Sequence, residues 1–250
     1  MENNLVSIIM PVYNANGFID NSIKSVINQT YKNWELLIID DCSTDGSSEI
    51  AYEYSCIYEN IKYYKHEKNE GVAVARNTGI ENAEGKYIAF LDSDDFWDFE
   101  KLEKQIKFME DNNYYFTYTS YEMVDKKGDQ LHKVIKPPKK LDYRKLLKGN
   151  NIGCFTVVIN KEEIDFISMP KIKHEDYAAW LKILKTGYIA YGLNEKLGFY
   201  RITDDGITSN KFSSAIWTWN IYRRYLNFSL LKSSYYFGFY ILNSINKHIL

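Results

Sequence analysis

The residues Val6–Asn14, VSIIMPVYN, join an unbroken apolar run to a polar turn that contains a proline. An apolar run without alternation is typical of a strand that is buried on both faces of a parallel sheet. The same alternation of apolar runs with helix-patterned segments continues to residue 91: strands at Val6–Met10, Leu36–Ile39, Ile61–Tyr64 and Tyr87–Leu91, and helices around Gly17–Asn28, Ser47–Tyr58 and Val72–Ala83. This order predicts an α/β fold with a mostly parallel central sheet flanked by helices.

Polar clusters follow three of the predicted strands directly, at Pro11–Asn14, Asp40–Asp45 and Asp92–Asp95. In open α/β sheets, ligands bind beyond the carboxyl ends of the strands. We therefore expect these three clusters to line one site.

The cluster Asp92-Ser93-Asp94-Asp95 places three carboxylates at the end of one strand, where they repel each other unless a cation lies among them. Mg²⁺ and related ions are commonly held by one or two carboxylates together with water and phosphate oxygens. The alternative is a helix N-cap, which accounts for one of the acids but not for all three.

Two further clusters have a binding interpretation and a structural one. Asp40 or Asp41 can accept a hydrogen bond from a nucleobase N–H, or can form a turn with the residues that follow. Pro11 and Tyr13 can offer a flat surface to a base, although a single tyrosine at such a place is more often a packing residue.

Two charged segments outside these clusters also carry alternatives. Arg76, inside Gly71–Asn77, can pair with diphosphate oxygens or hold one of the acidic loops in place. In His174-Glu175-Asp176 the acids either stabilise the start of a helix that runs to Thr186, or supply a general base.

The composition excludes several classes of protein. The chain of 250 residues has a net charge of −2 and a pI near 6.1, which argues against general nucleic-acid binding. The three cysteines, Cys42, Cys56 and Cys154, are expected to be buried free thiols in a reducing cytoplasm. No signal peptide is recognisable, and the apolar stretch Ser233–Asn246 is too short to cross a bilayer.

The second half of the chain has a different pattern. Tyr115–Val124 and Gln130–Ile135 resemble a hairpin around the turn Lys126–Asp129. Residues 211–250 contain five Lys or Arg, no acidic residue and eleven aromatics, with Trp217, Ile221 and Tyr225 at helical spacing. This composition favours helices that lie on an anionic membrane surface. The alternative is that they pack against the core or against a second subunit.

Taken together, the motifs resemble those of the family 2 glycosyltransferases, which have the GT-A fold. The resemblance covers residues 5–205 and rests on five segments: Val6–Asn14, Ile39–Gly46 (IDDCSTDG), Gly71–Asn77 (GVAVARN), Phe90–Asp95 (FLDSDD), and His174–Asp176 with Trp180. The C-terminal part looks like that of bacterial enzymes of O-antigen, capsule and teichuronic-acid assembly.

This resemblance implies a role for each matched residue. Pro11, Tyr13 and Asp41 bind the nucleobase, Arg76 lies beside the nucleotide, Asp92 and Ser93 contact the nucleotide sugar, Asp94 with Asp92 holds Mn²⁺ or Mg²⁺, and Asp176 is the catalytic base with Glu175 as the second candidate. The chain departs from many relatives after Tyr200-Arg201, where they have a histidine that joins the metal or diphosphate. Thr203, Asp204 and Asp205 stand here instead.

The resemblance also implies an activity, the inverting and metal-dependent transfer of a hexose from a nucleotide sugar, with UDP as the nucleotide by analogy. The acceptor is a hydroxyl of a glycan or a lipid-linked glycan. The expected organisation is a catalytic domain at 1–209, with a nucleotide-sugar-binding half at 1–98 and an acceptor-binding half at 99–209, followed by amphipathic helices at 210–250. The sequence allows peripheral contact of these helices with the inner face of the membrane, and a homo-oligomer.

Three other functions fit the sequence less well. A sugar nucleotidyltransferase shares the sheet and the acidic metal site, but it needs a glycine-rich basic loop after the first strand, where Pro11–Asn14 stands. A catalytically inactive glycan-binding relative is disfavoured because every acidic site is intact. A dinucleotide-dependent dehydrogenase is disfavoured because no G-x-G-x-x-G follows the first strand.

Overall fold

The structure is a computed structural model that describes residues 4–202 and 211–249. The strands are β1 (Val6–Val12), β2 (Trp34–Asp40), β3 (Ile61–Lys65), β4 (Tyr87–Phe90), β5 (Phe96–Trp97), β6 (Phe116–Val124), β7 (Gln130–Ile135), β8 (Lys140–Leu141), β9 (Val158–Asn160) and β10 (Ala190–Arg201). The helices are α1 (Ile19–Ile27), α2 (Ser47–Ile57), α3 (Val72–Asn82), α4 (Lys101–Asn112), α5 (Tyr143–Leu146), α6 (Glu175–Lys185), α7 (Lys211–Asn220) and α8 (Leu230–Ile249), with a 3₁₀ turn at Cys154–Thr156 and a π-helical turn at Ile221–Tyr225.

One mixed sheet runs through the described residues in the order β3-β2-β1-β4-β9-β6-β10-β5. The first four strands are parallel, as the apolar runs predict. Beyond them, β9 is antiparallel to both β4 and β6, while β10 is parallel to β6 and antiparallel to β5. The α/β fold is confirmed, with its parallel strands concentrated in the first half. The predicted hairpin is β6 with β7.

Strand β1 ends at Val12, two residues later than the sequence pattern indicated. Pro11 has no N–H, yet it fits because β4 last pairs with β1 at Ile9, where the Leu91 N–H donates to the Ile9 carbonyl. Along a parallel strand, successive residues bond to alternate neighbours, so Pro11 faces the side that β4 has already left. The proline therefore marks the point where the sheet opens into a cleft.

Helix α3 lies close against β1. A Cβ atom built on Gly79 would lie 2.5 Å from Ile9 Cγ2, which is too close for two carbon atoms. Only glycine, which has no Cβ, fits at this position without a shift of its neighbours. Ile9 itself is fully buried. The close approach fixes the start of α3, where Arg76 lies, relative to the end of β1.

The C-terminal helices pack against the core on one side. Ile221 and Tyr222 are fully buried, and the Tyr222 hydroxyl donates to the Leu147 carbonyl at 2.7 Å. The Asn243 amide donates to the Lys148 carbonyl. The expected boundaries at 98/99 and 209/210 stay a prediction, and residues from all three proposed segments share one core. No helix among residues 4–202 and 211–249 is long and apolar enough to cross a membrane.

Candidate active site

The edge of the sheet carries the predicted acidic residues. Asp41 follows β2, Asp92 follows β4 after one residue, and Glu175 opens α6. Arg76, in the second turn of α3, reaches two of these elements at once. Its Nη2 donates to Asp92 Oδ1 and its Nη1 donates to Glu175 Oε1, both at 2.5 Å. The structure therefore brings the second-half helix α6 against the end of β4 through one guanidinium.

Arg76 is 5% exposed, and both terminal nitrogens are engaged by protein carboxylates. Of its two predicted roles, the geometry shows the positioning of the acidic segments. Contact with a diphosphate stays a prediction. Glu175 is buried and bound to this arginine, so its carboxylate is poorly placed to take a proton.

Asp176 has a different environment from its neighbour. Its Oδ1 accepts from the Tyr177 N–H at 2.7 Å, and its Oδ2 lies 3.4 Å from the Asn150 amide nitrogen. Burial raises the pKa of Asp176 to about 7, the charge of Glu175 adds to the rise, and Arg76 opposes it. A carboxylate that gives up its proton near neutral pH and has few strong donors is suited to general base catalysis.

Asp94 lies in a poorly compensated part of the cluster, where the pKa of its neighbour Asp95 is also raised by burial. Burial and then the charge of Asp92 raise the pKa of Asp94 to about 6. Within the residues that the structure describes, no side chain donates a hydrogen bond to its carboxylate. Ser93 takes part through its backbone, since its carbonyl accepts from the Ser22 hydroxyl, 2.9 Å away.

Arg201, at the end of β10, is a site residue to which the sequence analysis gave no role. Its N–H donates to Asp95 Oδ1 and its Nε donates to the Asp94 carbonyl, both at 2.8 Å. Its Nη2 donates to Asn21. Arg201 is buried and holds the loop after β4 in place. The Tyr200-Arg201 pair was visible in the sequence, and it is the feature from which this residue could have been identified.

Asp40, the last residue of β2, and Asp41, which follows it, are both buried and both hydrogen-bonded within the protein. Asp40 accepts from the Ser43 N–H and from the hydroxyls of Ser48 and Tyr63. Asp41 accepts from the N–H groups of Glu70 (2.9 Å) and Gly71 (2.7 Å), and its Oδ1 lies 2.8 Å from His66 Nδ1. Asp41 therefore orders the loop before α3. One lone pair, on Oδ2, is left to accept a hydrogen bond from a nucleobase, and that contact stays a prediction.

The remaining predicted residues differ in accessibility. Pro11 is buried within β1 whereas Tyr13, which directly follows this strand, is 53% exposed, and contact of either with a nucleobase stays a prediction. Cys154 is a buried thiol whose pKa burial raises well above its ordinary value, in electrostatic contact with Arg76. All three cysteines are free, but the expectation of burial holds only for Cys154, since Cys42 is half-buried and Cys56 is exposed.

The residues present fit a divalent ion held partly by its substrate. Among residues 4–202 and 211–249, no group of three or more His, Cys, Asp and Glu side chains is arranged to hold a metal. Asp94 and Asp92 offer oxygen ligands, and their mutual repulsion is what a cation would relieve. Two carboxylates with phosphate oxygens and water make an ordinary site for Mg²⁺ or Mn²⁺. Thr203, Asp204 and Asp205, where a third protein ligand was sought, lie outside the described residues.

A parallel half-sheet joined to a mixed half, with an aspartate pair after β4 and an acidic helix start opposite, defines a GT-A glycosyltransferase. The model of the glycosyl transferase family 2 matches residues 7–165, and the chain belongs to this family.

Relatives match along the whole chain. A Bacillus subtilis (strain 168) protein, TuaG, whose name assigns it to teichuronic acid biosynthesis as a glycosyltransferase, is 43% identical over 246 residues, 98% of each chain. The Escherichia coli UDP-Glc:alpha-D-GlcNAc-diphosphoundecaprenol beta-1,3-glucosyltransferase WfgD is 42% identical over 252 residues, 99% of this chain and 96% of that protein.

Solved structures share the fold at lower identity. Staphylococcus aureus TarS in complex with UDP-GlcNAc has a TM-score of 0.71 at 21% identity, over 87% of this chain and 64% of that one. The mannosyltransferase PcManGT from Pyrobaculum calidifontis, in complex with GDP-Man and Mn²⁺, has a TM-score of 0.70 at 17% identity, over 94% and 69%. At these identities the likeness shows the fold alone.

Proposed function

We propose that the protein transfers a hexose from a UDP-sugar to a hydroxyl of a lipid-linked glycan, with inversion and with a divalent metal, in the synthesis of a bacterial surface polysaccharide. One observation carries the proposal. Asp176, whose pKa burial raises to about 7, lies next to the Glu175–Arg76–Asp92 bridge that joins it to the acidic loop after β4. A proton acceptor and a site for a charged leaving group are thus held together.

The acceptor class rests on the relatives. WfgD, similar along the whole chain, acts on a sugar linked to diphosphoundecaprenol with UDP-Glc as donor. TuaG is named for the biosynthesis of teichuronic acid, a polysaccharide. The donor then occupies the ends of β1, β2 and β4, where Tyr13 is exposed and can stack on a base.

Asp94 and Asp92 are the residues proposed to hold Mn²⁺ or Mg²⁺. The ion supplies neutralisation of the charge that develops on the departing diphosphate. The protein fixes the loop that carries these ligands through Arg201, which binds the Asp94 carbonyl and the Asp95 carboxylate. Since the contact with Asp95 is buried and the contact with Asp94 is partly buried, the loop is held in place before substrate arrives.

Asp176 takes the proton of the acceptor hydroxyl as its oxygen attacks the anomeric carbon. The bond from that carbon to the diphosphate breaks at the same time, and the nucleoside diphosphate leaves with the electron pair. A single displacement inverts the configuration, so an α-linked donor gives a β-glycoside. Glu175 keeps Arg76 in place instead of taking the proton, because its carboxylate is already bound.

The site is proposed to work at the inner face of the membrane. Leu230, Leu231, Tyr235 and Leu242 of α8 are 60%, 85%, 59% and 59% exposed. Residues 211–250 carry basic side chains and no acidic ones. This combination supports peripheral contact with anionic lipid, while the opposite side of the same helices packs on the core.

A melting-temperature screen tests the proposed donor and metal. UDP-sugars with Mn²⁺ should raise the melting temperature, since a ligand of the native state stabilises it, and Asp94→Ala should remove the metal-dependent part. An unchanged Mn²⁺ titration in Asp94→Ala would refute the role of Asp94. The reaction with an acceptor should release a nucleoside diphosphate, whereas release of pyrophosphate would identify a nucleotidyltransferase.

A further inference from the structure

A cavity of about 310 Å³ lies between the segment before α6 and the junction of α7 with the π-helical turn. Its walls include Ile172, Lys173, Trp217, Ile221, Arg224 and Tyr225. Four of these six side chains are apolar or aromatic and two are cations. Its volume is within the range of pockets for small molecules, and its lining suits a ligand with an apolar part and an anionic part.

The two cations have no acidic partner in the part of the chain that the structure describes. Lys173 Nζ lies 5.8 Å from the centroid of the Trp217 ring. Arg224 lines the same cavity from the π-helical turn. Both side chains are exposed, and they give the rim of this apolar space two donors that an anion can bind. Phosphate groups are the usual anions for such a pair.

The shape of the cavity depends on the π-helical turn. The Leu226 N–H donates to the Ile221 carbonyl at 2.8 Å, five residues back, where an α-helix would bond four residues back. Trp217, Ile221 and Tyr225, the stripe noted in the sequence, all line the cavity. Turns of this kind occur frequently at functional sites.

The cavity lies close to the proposed base. Lys173 is three residues before Asp176, and with consecutive Cα atoms about 3.8 Å apart their Cα atoms are at most about 11 Å from each other. The His174 ring between them packs edge-on against Trp217, with centroids 5.3 Å apart. One sugar ring with its linking diphosphate can bridge such a separation.

We propose that this cavity binds the diphosphate and first isoprenoid units of a polyprenyl-diphosphate-linked acceptor. The inference rests on the proposed function and deepens it, because it assigns the acceptor's linking group to Lys173 and Arg224 and its chain to Trp217 and Tyr225. On α7, the exposed Phe212 (76%) and Ile216 (45%) continue the apolar surface beyond the cavity. The acceptor hydroxyl then points to Asp176, at the opposite end of the same molecule.

Binding of farnesyl diphosphate to the full chain tests the proposal, measured by calorimetry with saturating UDP and Mn²⁺ so that the donor site is filled. Farnesyl diphosphate should bind, while farnesol and inorganic pyrophosphate should each bind at least about ten-fold more weakly, since each lacks one of the two recognised parts. The double variant Lys173→Glu/Arg224→Glu should lower the affinity by about ten-fold or more. Lys185→Glu, an exposed charge at the end of α6, should leave it unchanged.

Unchanged affinity in the double variant would overturn the proposal, and so would binding of farnesyl diphosphate that is seen without UDP and is lost when UDP and Mn²⁺ are saturating. Binding of the protein to phosphatidylglycerol vesicles through Lys173 and Arg224, without binding of farnesyl diphosphate, would also overturn it, in favour of a lipid headgroup. Retained affinity in Arg224→Lys, with a normal circular dichroism melt, separates a local effect from misfolding. Failure of the proposed function shows separately, as absence of UDP-sugar binding in the wild type.

Discussion

At the scale of single residues, Arg76 holds the site together. It is buried and it joins Asp92 to Glu175, and Glu175 lies 99 positions after Arg76 itself. Breaking a buried ion pair leaves an uncompensated charge in a poorly solvated place. The guanidinium therefore ties the acidic loop after β4 to the start of α6, in addition to the core packing of Trp180 against Phe90.

Arg76→Gln should lower the free energy of unfolding by about 3–5 kcal/mol, because Glu175 would remain buried without its partner. Urea denaturation measures this. Lys24→Gln is the control, since the Lys24–Asp20 pair is 58% and 50% exposed and should contribute less than about 1 kcal/mol. Equal effects of the two substitutions would contradict the role given to Arg76.

The pKa of Asp176 predicts how activity and stability depend on pH. The base is active when deprotonated, so the transfer rate should rise as pH passes through about 7. Because the folded-state pKa is raised above its ordinary value of 3.8, the folded protein holds a proton that the unfolded chain has lost between the two values. This group's contribution to stability therefore falls as pH rises from about 4 to 7.

A pH–rate profile and melting curves over the same range measure both effects. Asp176→Asn should remove the part of the pH dependence of the melting temperature that comes from this group. A transfer rate that is constant from pH 6 to 8 would contradict the assignment of this pKa to the base.

The sequence singled out candidate site residues, but it did not reveal the contacts that they make in the fold. Asp92, Asp94 and Asp176 could be found because acids that directly follow buried strands, or open a helix, stand out in the local pattern. The bridge from Arg76 to Glu175 has no local signal, since it depends on how distant elements pack. For the same reason Cys154, in a short 3₁₀ turn, was not recognised as a neighbour of Arg76.

At the scale of secondary structure, the close contact of α3 with β1 sets the position of Arg76. Gly79→Ala should destabilise the fold by about 1–3 kcal/mol through overpacking against Ile9, with helix propensity offsetting less than about 1 kcal/mol. Gly238→Ala, in α8 with no atom within 4 Å of the added Cβ, should stabilise by up to about 1 kcal/mol. Chemical denaturation measures the free energy of unfolding of both variants. Stabilisation by Gly79→Ala would show that α3 does not lie so close to β1.

Two elements, β10 and α4, had not been assigned from the sequence, and the structure shows why for one of them. Strand β10 carries register shifts at Leu193/Lys196 and Lys196/Gly198, which break the two-residue alternation by which a strand is recognised. Helix α4 has buried residues at helical spacing, Leu102, Ile106 and Met109, so its signal was present in the sequence. Strands β1, β2 and β4 were clear because every residue in them is buried, whereas in β3 only Ile61 is buried.

At the scale of the whole molecule, the C-terminal helices have two different faces. Tyr222 is fully buried beneath them, whereas Leu231 is 85% exposed. The sequence favoured a membrane surface over packing, and packing on the core is now seen on one side. Composition alone could not separate the alternatives, since one amphipathic pattern serves both.

Leu231→Glu should weaken binding to vesicles that contain phosphatidylglycerol, because it removes an exposed apolar side chain and adds a negative charge. Co-sedimentation measures the bound fraction. Ile57→Glu, a 71% exposed apolar residue at the end of α2, is the matched control and should leave binding unchanged. Equal binding of the two variants would argue against membrane contact through α8.

The most direct measurement is the transfer rate of Asp176→Asn beside its affinity for the UDP-sugar with Mn²⁺. Loss of a general base should lower transfer by about 100-fold or more, while donor binding stays intact because Asp94, Asp92 and Tyr13 are unchanged. A variant that transfers sugar at the normal rate would show that Asp176 takes no proton from the acceptor.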